Sequence, residues 1–369
     1  MARRSIQWLA ARIAHQSKRK TKKIYSVIVL SYTMTSEPKP SSYNIDPKIY
    51  KKFDERMTVF GRMLHDESAD YFGKGMYDEI EKFLAEDRKG YSRLDHAKVM
   101  GAWTAYDYFD AAFSWEELTD ANSVMNKPVL EKYSVTDRGE MSEKLKETAK
   151  FYGASLVGIA RLDQRWIYSR KRNGEKIEIP HDYKFAVVMA ITMDPVAISA
   201  SPTFKACAET AIAYSRMAFC VACTAEYIRS LGYRAIPMGN DTALSIPLAI
   251  DAGLGQLGRN GLLITEKYGS CVRLCKIFTD LPLSPDEVIK PGLAEFCKKC
   301  NKCSEACNAG AIRSDMEPSY EISCPSNNAG IMRWAVDQDK CYKFWIKNGG
   351  DCSNCIAVCP FFPKTDRFV

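Results

Sequence analysis

Between residues 139 and 290 the spacing of apolar positions switches between two periods, and each switch marks an element. The stretch "EMSEKLKETAKFYGA" repeats its apolar residues at helical spacing and stops near Gly153, a helix-ending signal. Apolar runs of strand length follow, "SLVGIARL" at 155–162 and "FAVVMAITM" at 185–193. A long helix is expected over 203–230, and then another strand at "YRAIPMG". This alternation predicts helices layered on a sheet, an α+β (α/β layered) class. The next stretch, "GNDTALSIPLAIDAGLGQLGRNGLLITEKYGSCVRLCKIFTDLPL", combines a short apolar helix, clustered glycines and two more strands. Upstream, 49–138 reads as mainly helical and aromatic-rich, with "GAWTAYDYFDAAFSW" suited to a core or to an apolar pocket wall. The Pro- and Ser-rich "EPKPSSYNIDPKI" before it reads as an extended linker. From 291 onward the chain turns cysteine-rich and loop-like. The expected segments are therefore 1–33, 34–138, 139–290 and 291–369.

Composition changes this picture in two places. The formal charge of +7 suggests nucleic acid, but residues 1–33 hold eight Lys/Arg and no acid. Removing those eight from +7 leaves the rest of the chain at −1, without the basic footprint of a DNA or RNA binder. No nucleic-acid partner is expected. The basic leader offers little apolar surface to bury and reads as disordered, with Met34 a plausible start. Arg3–Arg4 faintly resembles a twin-arginine export signal, but Arg12, His15 and the basic run 18–23 interrupt the apolar stretch behind it. "YSVIVLSYTM" is too short to span a membrane, so no transmembrane segment is expected. The location this implies is cytoplasmic or membrane-peripheral.

The 14 cysteines carry the strongest chemical signal. "FCKKCNKCSEACNAG" places Cys297, Cys300, Cys303 and Cys307 at close spacing, and "KCYKFWIKNGGDCSNCIAVCPFF" supplies Cys341, Cys352, Cys355 and Cys359. A C-x-x-C-x-x-C run wraps three corners of an iron–sulfur cube, and in two-cluster ferredoxins the fourth cysteine of each run crosses to the other cluster. One cluster then takes Cys297, Cys300, Cys303 and Cys359, and the other takes Cys307, Cys341, Cys352 and Cys355. Two [4Fe–4S] clusters are expected, because eight cysteines in this order rarely serve zinc. Cys324 of "CP" is an alternative to Cys341. The remaining cysteines (Cys207, Cys220, Cys223, Cys271, Cys275) read mostly as small buried hydrophobes.

A ferredoxin needs no long layered unit before it, and here the chain resembles a known family. The stretches "IDPKIYKKFDERM", "LVGIARLD", "AYSRM", "IPMGNDTALSIPLAIDAGLGQLGRNGLLIT", "VRLCKIFTDLPL" and "CSNCIAVCPF" resemble, in order, the corrinoid-dependent reductive dehalogenases. The resemblance implies a nitroreductase-like cobalamin-binding core, base-off cobalamin, and a C-terminal ferredoxin-like domain whose two clusters feed electrons to cobalt. It implies an organohalide substrate and a low-potential electron donor: ferredoxin, flavodoxin or a membrane-linked donor. It assigns Tyr214 as proton donor, with Arg273 and Asn240 beside it, and Thr210 and Trp345 as further pocket candidates. The chemistry is coherent: a phenol gives its proton more readily when a guanidinium stabilises the phenolate. From the residues alone, Tyr214 lies on one helical stripe with Ala206, Thr210, Met217 and Val221, where tyrosine is usually core.

In "GLGQLGRNG" the glycine spacing imitates a nucleotide fingerprint, but a helical segment precedes it rather than a strand. Close backbone approach to a large flat ligand is the expected role of Gly255, Gly258, Gly261 and the adjoining Leu262, with Arg259 meeting a corrin amide or phosphate. None of His15, His65, His96 and His181 sits in a cobalt-ligating D-x-H-x-x-G setting, so no protein histidine is expected on cobalt. Two rival functions share these features: an epoxyqueuosine-reductase-like tRNA-modifying enzyme, and a non-catalytic corrinoid-binding electron carrier.

Overall fold

The computed structural model describes residues 43–86, 88–109, 131–289 and 292–363. The chain divides into two units, Met1–Ser41 and Ser42–Val369, and every described residue belongs to the second. The expected leader, Met34 and the end of the aromatic stretch at 110–115 lie outside the described residues.

The strands are β1 (Leu156–Arg161), β2 (Phe185–Thr192), β3 (Ala235–Met238), β4 (Gln256–Leu257), β5 (Leu263–Ile264) and β6 (Val272–Thr279). Four of them form an antiparallel sheet in the order β1-β2-β6-β3, while β4 and β5 make a separate two-stranded hairpin. The glycine-rich stretch thus contains a small hairpin besides one long strand. The unbroken apolar run of β2 follows from its burial on both sides. Val187, Met189 and Ile191 face one core cluster, and Ala186 and Val188 face another. Alternate residues of a strand point to opposite faces, so a strand covered twice needs no polar positions.

The helices are α1 (Val59–His65), α2 (Ile80–Ala85), α3 (Arg93–Phe109), α4 (Arg138–Phe151), α5 (Pro195–Ile198), α6 (Phe204–Ser230), α7 (Ser245–Asp251), α8 (Leu293–Lys298), α9 (Lys302–Glu305), α10 (Gln338–Asn348) and α11 (Asn354–Ala357). On one sheet face, α4 contributes Met141, Leu145 and Ala149, and α6 contributes Met217 and Val221. On the other, Trp166 and Ile167 join Leu248 and Ala249 of α7. Asp137 starts α4 by accepting from the Gly139 and Glu140 amides, which supplies acceptors for two otherwise orphan donors.

The N-terminal helical segment is not a free module. The Tyr71 and Phe60 rings pack on Tyr342 of α10, and Arg62 pairs with Asp339 at 2.6 Å. Further along, α3 lies against α6, pinned where Ser215 Oγ donates to Ala102 O and accepts from the Tyr106 amide. Helical segment, sheet core and cysteine-rich region therefore pack as one unit. Among the described residues, no helix is long and apolar enough to cross a membrane.

Candidate active site and cluster region

Three elements converge on Tyr214. It projects from the middle of α6, half-buried, while Asn240 follows the end of β3 and Arg273 comes from β6. Asn240 Nδ2 donates to the Tyr214 hydroxyl at 2.8 Å. The Arg273 guanidinium lies over the Tyr214 ring, 5.3 Å from its centre. One turn earlier on α6, buried Thr210 accepts from Arg273 Nη2 at 3.1 Å. Four separately chosen residues thus form one contiguous group. Tyr214 is on the helical stripe, as its spacing predicts, but its hydroxyl leaves the packed core and meets an exposed asparagine.

Sequence reasoning missed two walls of this group. Trp103 of α3 stacks on Tyr214 at 5.2 Å with 28° between planes, and Tyr106 meets it edge-on at 5.3 Å. The signal was present in the aromatic stretch, but only packing of α3 on α6 shows which ring meets which. Trp345 packs on α10 against Phe60 and Tyr342, and its buried Nε1 has no partner among the described residues. The Arg273 Nε and Ser270 Oγ atoms are likewise buried without a partner among the described residues.

The ligand-spaced cysteines fall into two neighbourhoods. Cys297, Cys300, Cys303 and Cys359 line one cavity, together with Gly258, Arg259, Phe296 and Phe361. In the second quartet Cys341 stands beside Cys352 and Cys307, and Cys355 beside all three. Cys355 also neighbours Cys303, which links the quartets. Cys324 is not in either group; it lies near Asp339 and Arg333. Burial pushes the Cys303 thiol up to about 11 and the Cys341 thiol up to about 12. Such thiols surrender their protons readily only to a metal.

Arg259 is held by backbone carbonyls of the cysteine-rich region. Its side chain is 1% exposed, and its guanidinium donates to the carbonyls of Cys297, Cys300, Arg313 and Asp315 at 2.6–3.2 Å while lying over Trp334. Among the described residues it has no carboxylate partner, and it sits close enough to influence Cys297 and Cys303. A buried cation beside four thiols suits a negatively charged cluster. Two of the glycines are also required by the chain itself. A Cβ on Gly255 would stand 2.3 Å from Ile264 O, across the β4–β5 hairpin, and Gly261 holds φ at +73° against Val336. Leu262 packs with Cys355 and Ala357.

Comparison with known proteins places this geometry. Residues 296–362 match the family model of the 4Fe-4S dicluster domain, so the C-terminal region is a two-cluster iron–sulfur domain. The chain is 33% identical to the tetrachloroethene reductive dehalogenase of Dehalobacter restrictus, over 83% of this chain and 68% of that one. It is 34% identical to a tetrachloroethene reductive dehalogenase of Desulfitobacterium hafniense, over 73% of this chain and 62% of that relative's length. The chain thus spans roughly two thirds of these relatives' length. The solved structure of the catabolic reductive dehalogenase NpRdhA in complex with 3-bromo-4-hydroxybenzoic acid has the same fold, with TM-score 0.70 and 23% identity. That match covers 90% of this chain and 45% of NpRdhA.

Proposed function

The chain belongs to the reductive dehalogenase family, and from that premise we propose that it removes halide reductively from an organohalide. The net reaction takes R–X, two electrons and one proton to R–H and X⁻. One carbon–halogen bond breaks and one carbon–hydrogen bond forms. Cobalamin, when bound, supplies the low-potential centre at which the halide is lost. Ser270 and Arg273, whose buried Oγ and Nε lack partners, fit a ligand rich in amides. The unpartnered Nε1 of Trp345 keeps that residue a candidate for the pocket wall.

The observation that carries the reading is the hydroxyl of Tyr214, held at 2.8 Å by Asn240 with Arg273 over its ring. Tyr214 gives its proton to the carbon that has lost halide. The phenolate left behind keeps the Asn240 N–H bond and faces the Arg273 cation, so charge develops where donors are already in place. Asn240 itself is exposed, which gives solvent a route to return the proton. The first quartet (Cys297, Cys300, Cys303, Cys359) and the second (Cys307, Cys341, Cys352, Cys355) hold the two clusters that relay electrons from a low-potential donor. Halide release from a panel of small organohalides, by anaerobically reconstituted protein with such a donor, tests the proposal. Full iron and cobalamin loading with no halide from any member would overturn it in favour of an electron carrier.

A further inference from the structure

Arg273 is not the only basic residue that β6 directs toward this region. Lys276, three residues on, is fully buried, and its register partner is Met238 at the end of β3. Its ammonium donates to Gly239 O at 2.6 Å, Asp241 O at 3.0 Å and Ser245 Oγ at 3.1 Å. The first two acceptors are the carbonyls on either side of Asn240. All three donors of the ammonium are used, two of them on the short loop that presents Asn240 to Tyr214.

The rest of the loop is fixed by a connected set of groups. Asp241 accepts from the Gly239 amide at 2.9 Å and from Thr242 Oγ1 at 2.7 Å. Thr242 adopts φ of +66°, a conformation a threonine reaches only under tertiary constraint. Its amide donates to the carboxylate of Glu55, which is 4% exposed and pairs with Arg172 at 3.1 Å. On the other side, the Thr242 carbonyl accepts from the Tyr168 amide. Charge is balanced locally: Lys276 faces Asp241 and Glu55, with Cys275 beside it on its own strand. Burial holds the ammonium down at about 8, so it remains mostly charged at neutral pH.

A lysine this deep needs a reason, because burying an ammonium is costly unless each proton finds an acceptor. Strand pairing and core packing are served as well by an apolar residue at 276. What an apolar residue lacks is the grip on the two carbonyls around Asn240. We propose that Lys276 is a positioning residue, whose buried ammonium fixes the Gly239–Thr242 loop so that the Asn240 amide stays on the Tyr214 hydroxyl. The proposal rests on the dehalogenase reading for its catalytic consequence, though not for the clamp itself.

The test compares Lys276→Met, Lys276→Gln, Asn240→Ala and the Lys276→Met/Asn240→Ala pair as anaerobically reconstituted protein. Hydrogen exchange over 236–245 should accelerate roughly tenfold or more in Lys276→Met, and less in Lys276→Gln, which retains two N–H donors. Iron content should not change. Halide-release kcat should fall about ten- to hundred-fold in Lys276→Met, as expected of a misplaced polar group, with KM moved less than about threefold. The double variant should be no slower than Asn240→Ala. Additive losses, or unchanged exchange in the loop, would overturn the clamp. If Lys276→Met does not fold, Lys276→Gln and Ser245→Ala carry the same comparison. If the wild-type protein releases no halide, the dehalogenase proposal fails while the exchange measurement still decides the role of Lys276.

Discussion

Replacing Tyr214 by Phe separates what the ring does from what the hydroxyl does. The ring contacts survive: the Trp103 stack at 5.2 Å, the Tyr106 edge at 5.3 Å and the Arg273 guanidinium at 5.3 Å. Among the described residues, the lost hydroxyl has a single hydrogen bond, that from Asn240 at 2.8 Å. One neutral hydrogen bond contributes about 0.5–1.5 kcal/mol, and exposed Asn240 can turn to water, so stability should change by no more than that. Catalysis should respond far more. A positioned acid contributes roughly 10²–10⁴ in rate, or about 2.7–5.4 kcal/mol at 1.36 kcal/mol per tenfold. The two magnitudes differ enough to be told apart in one set of preparations. Iron and cobalt are measured first, then a thermal melt, then initial halide release with a low-potential donor in excess. The expected result is full cofactor loading, a nearly unchanged melt and turnover down by at least about a hundredfold. Turnover near wild type with both cofactors present would make Tyr214 a packing residue and move the proton donor elsewhere.

Arg273→Met keeps side-chain volume but removes the cation over Tyr214 and the donor to Thr210; turnover should fall, and pairing it with Tyr214→Phe should add little, because the two act as a unit. Cys341→Ser should cut iron from about eight to about four per chain, whereas Cys324→Ser, outside both quartets, should leave it at about eight; the reverse pattern would exchange their roles. Arg259→Met should loosen the first quartet selectively. It removes the donor to the Cys300 and Arg313 carbonyls at about 1–3 kcal/mol each, while Cys297 O still accepts from the Cys300 amide and Asp315 O from Trp334, so iron retention should drop toward one cluster. Lys276 sits near 8 when folded against 10.5 when unfolded, so between those values the unfolded chain binds more protons and stability from this group rises with pH. Below about 8 both states are protonated and the dependence disappears. Denaturation of wild type and Lys276→Met at pH 8, 9 and 10 should therefore give different slopes, by up to about 1.4 kcal/mol per unit, and equal slopes would refute the assignment.

The sequence by itself determined the main elements and the iron–sulfur region, because both are properties of spacing along the chain. The expected 203–230 helix is found at Phe204–Ser230, and the two apolar runs are β1 and β2, since periodicity reports directly which side chains share a face. The iron–sulfur region was legible for the same reason: eight cysteines at ligand spacing mark a two-cluster domain, and residues 296–362 match one. Tertiary structure decided the rest. Composition marked the aromatic stretch as core or pocket, yet that Trp103 stacks on Tyr214 depends on how α3 lies across α6, more than 100 residues later. Arg259 stood in a glycine-rich run that suggested a ligand, but its four carbonyl partners come from segments 38 to 56 residues away that no local pattern announces. Lys276 gave no signal at all, because a strand reveals which residues alternate but not which buried acceptors a long side chain will reach. A guanidinium or ammonium carries its charge in the sequence, and only the fold says where that charge is spent.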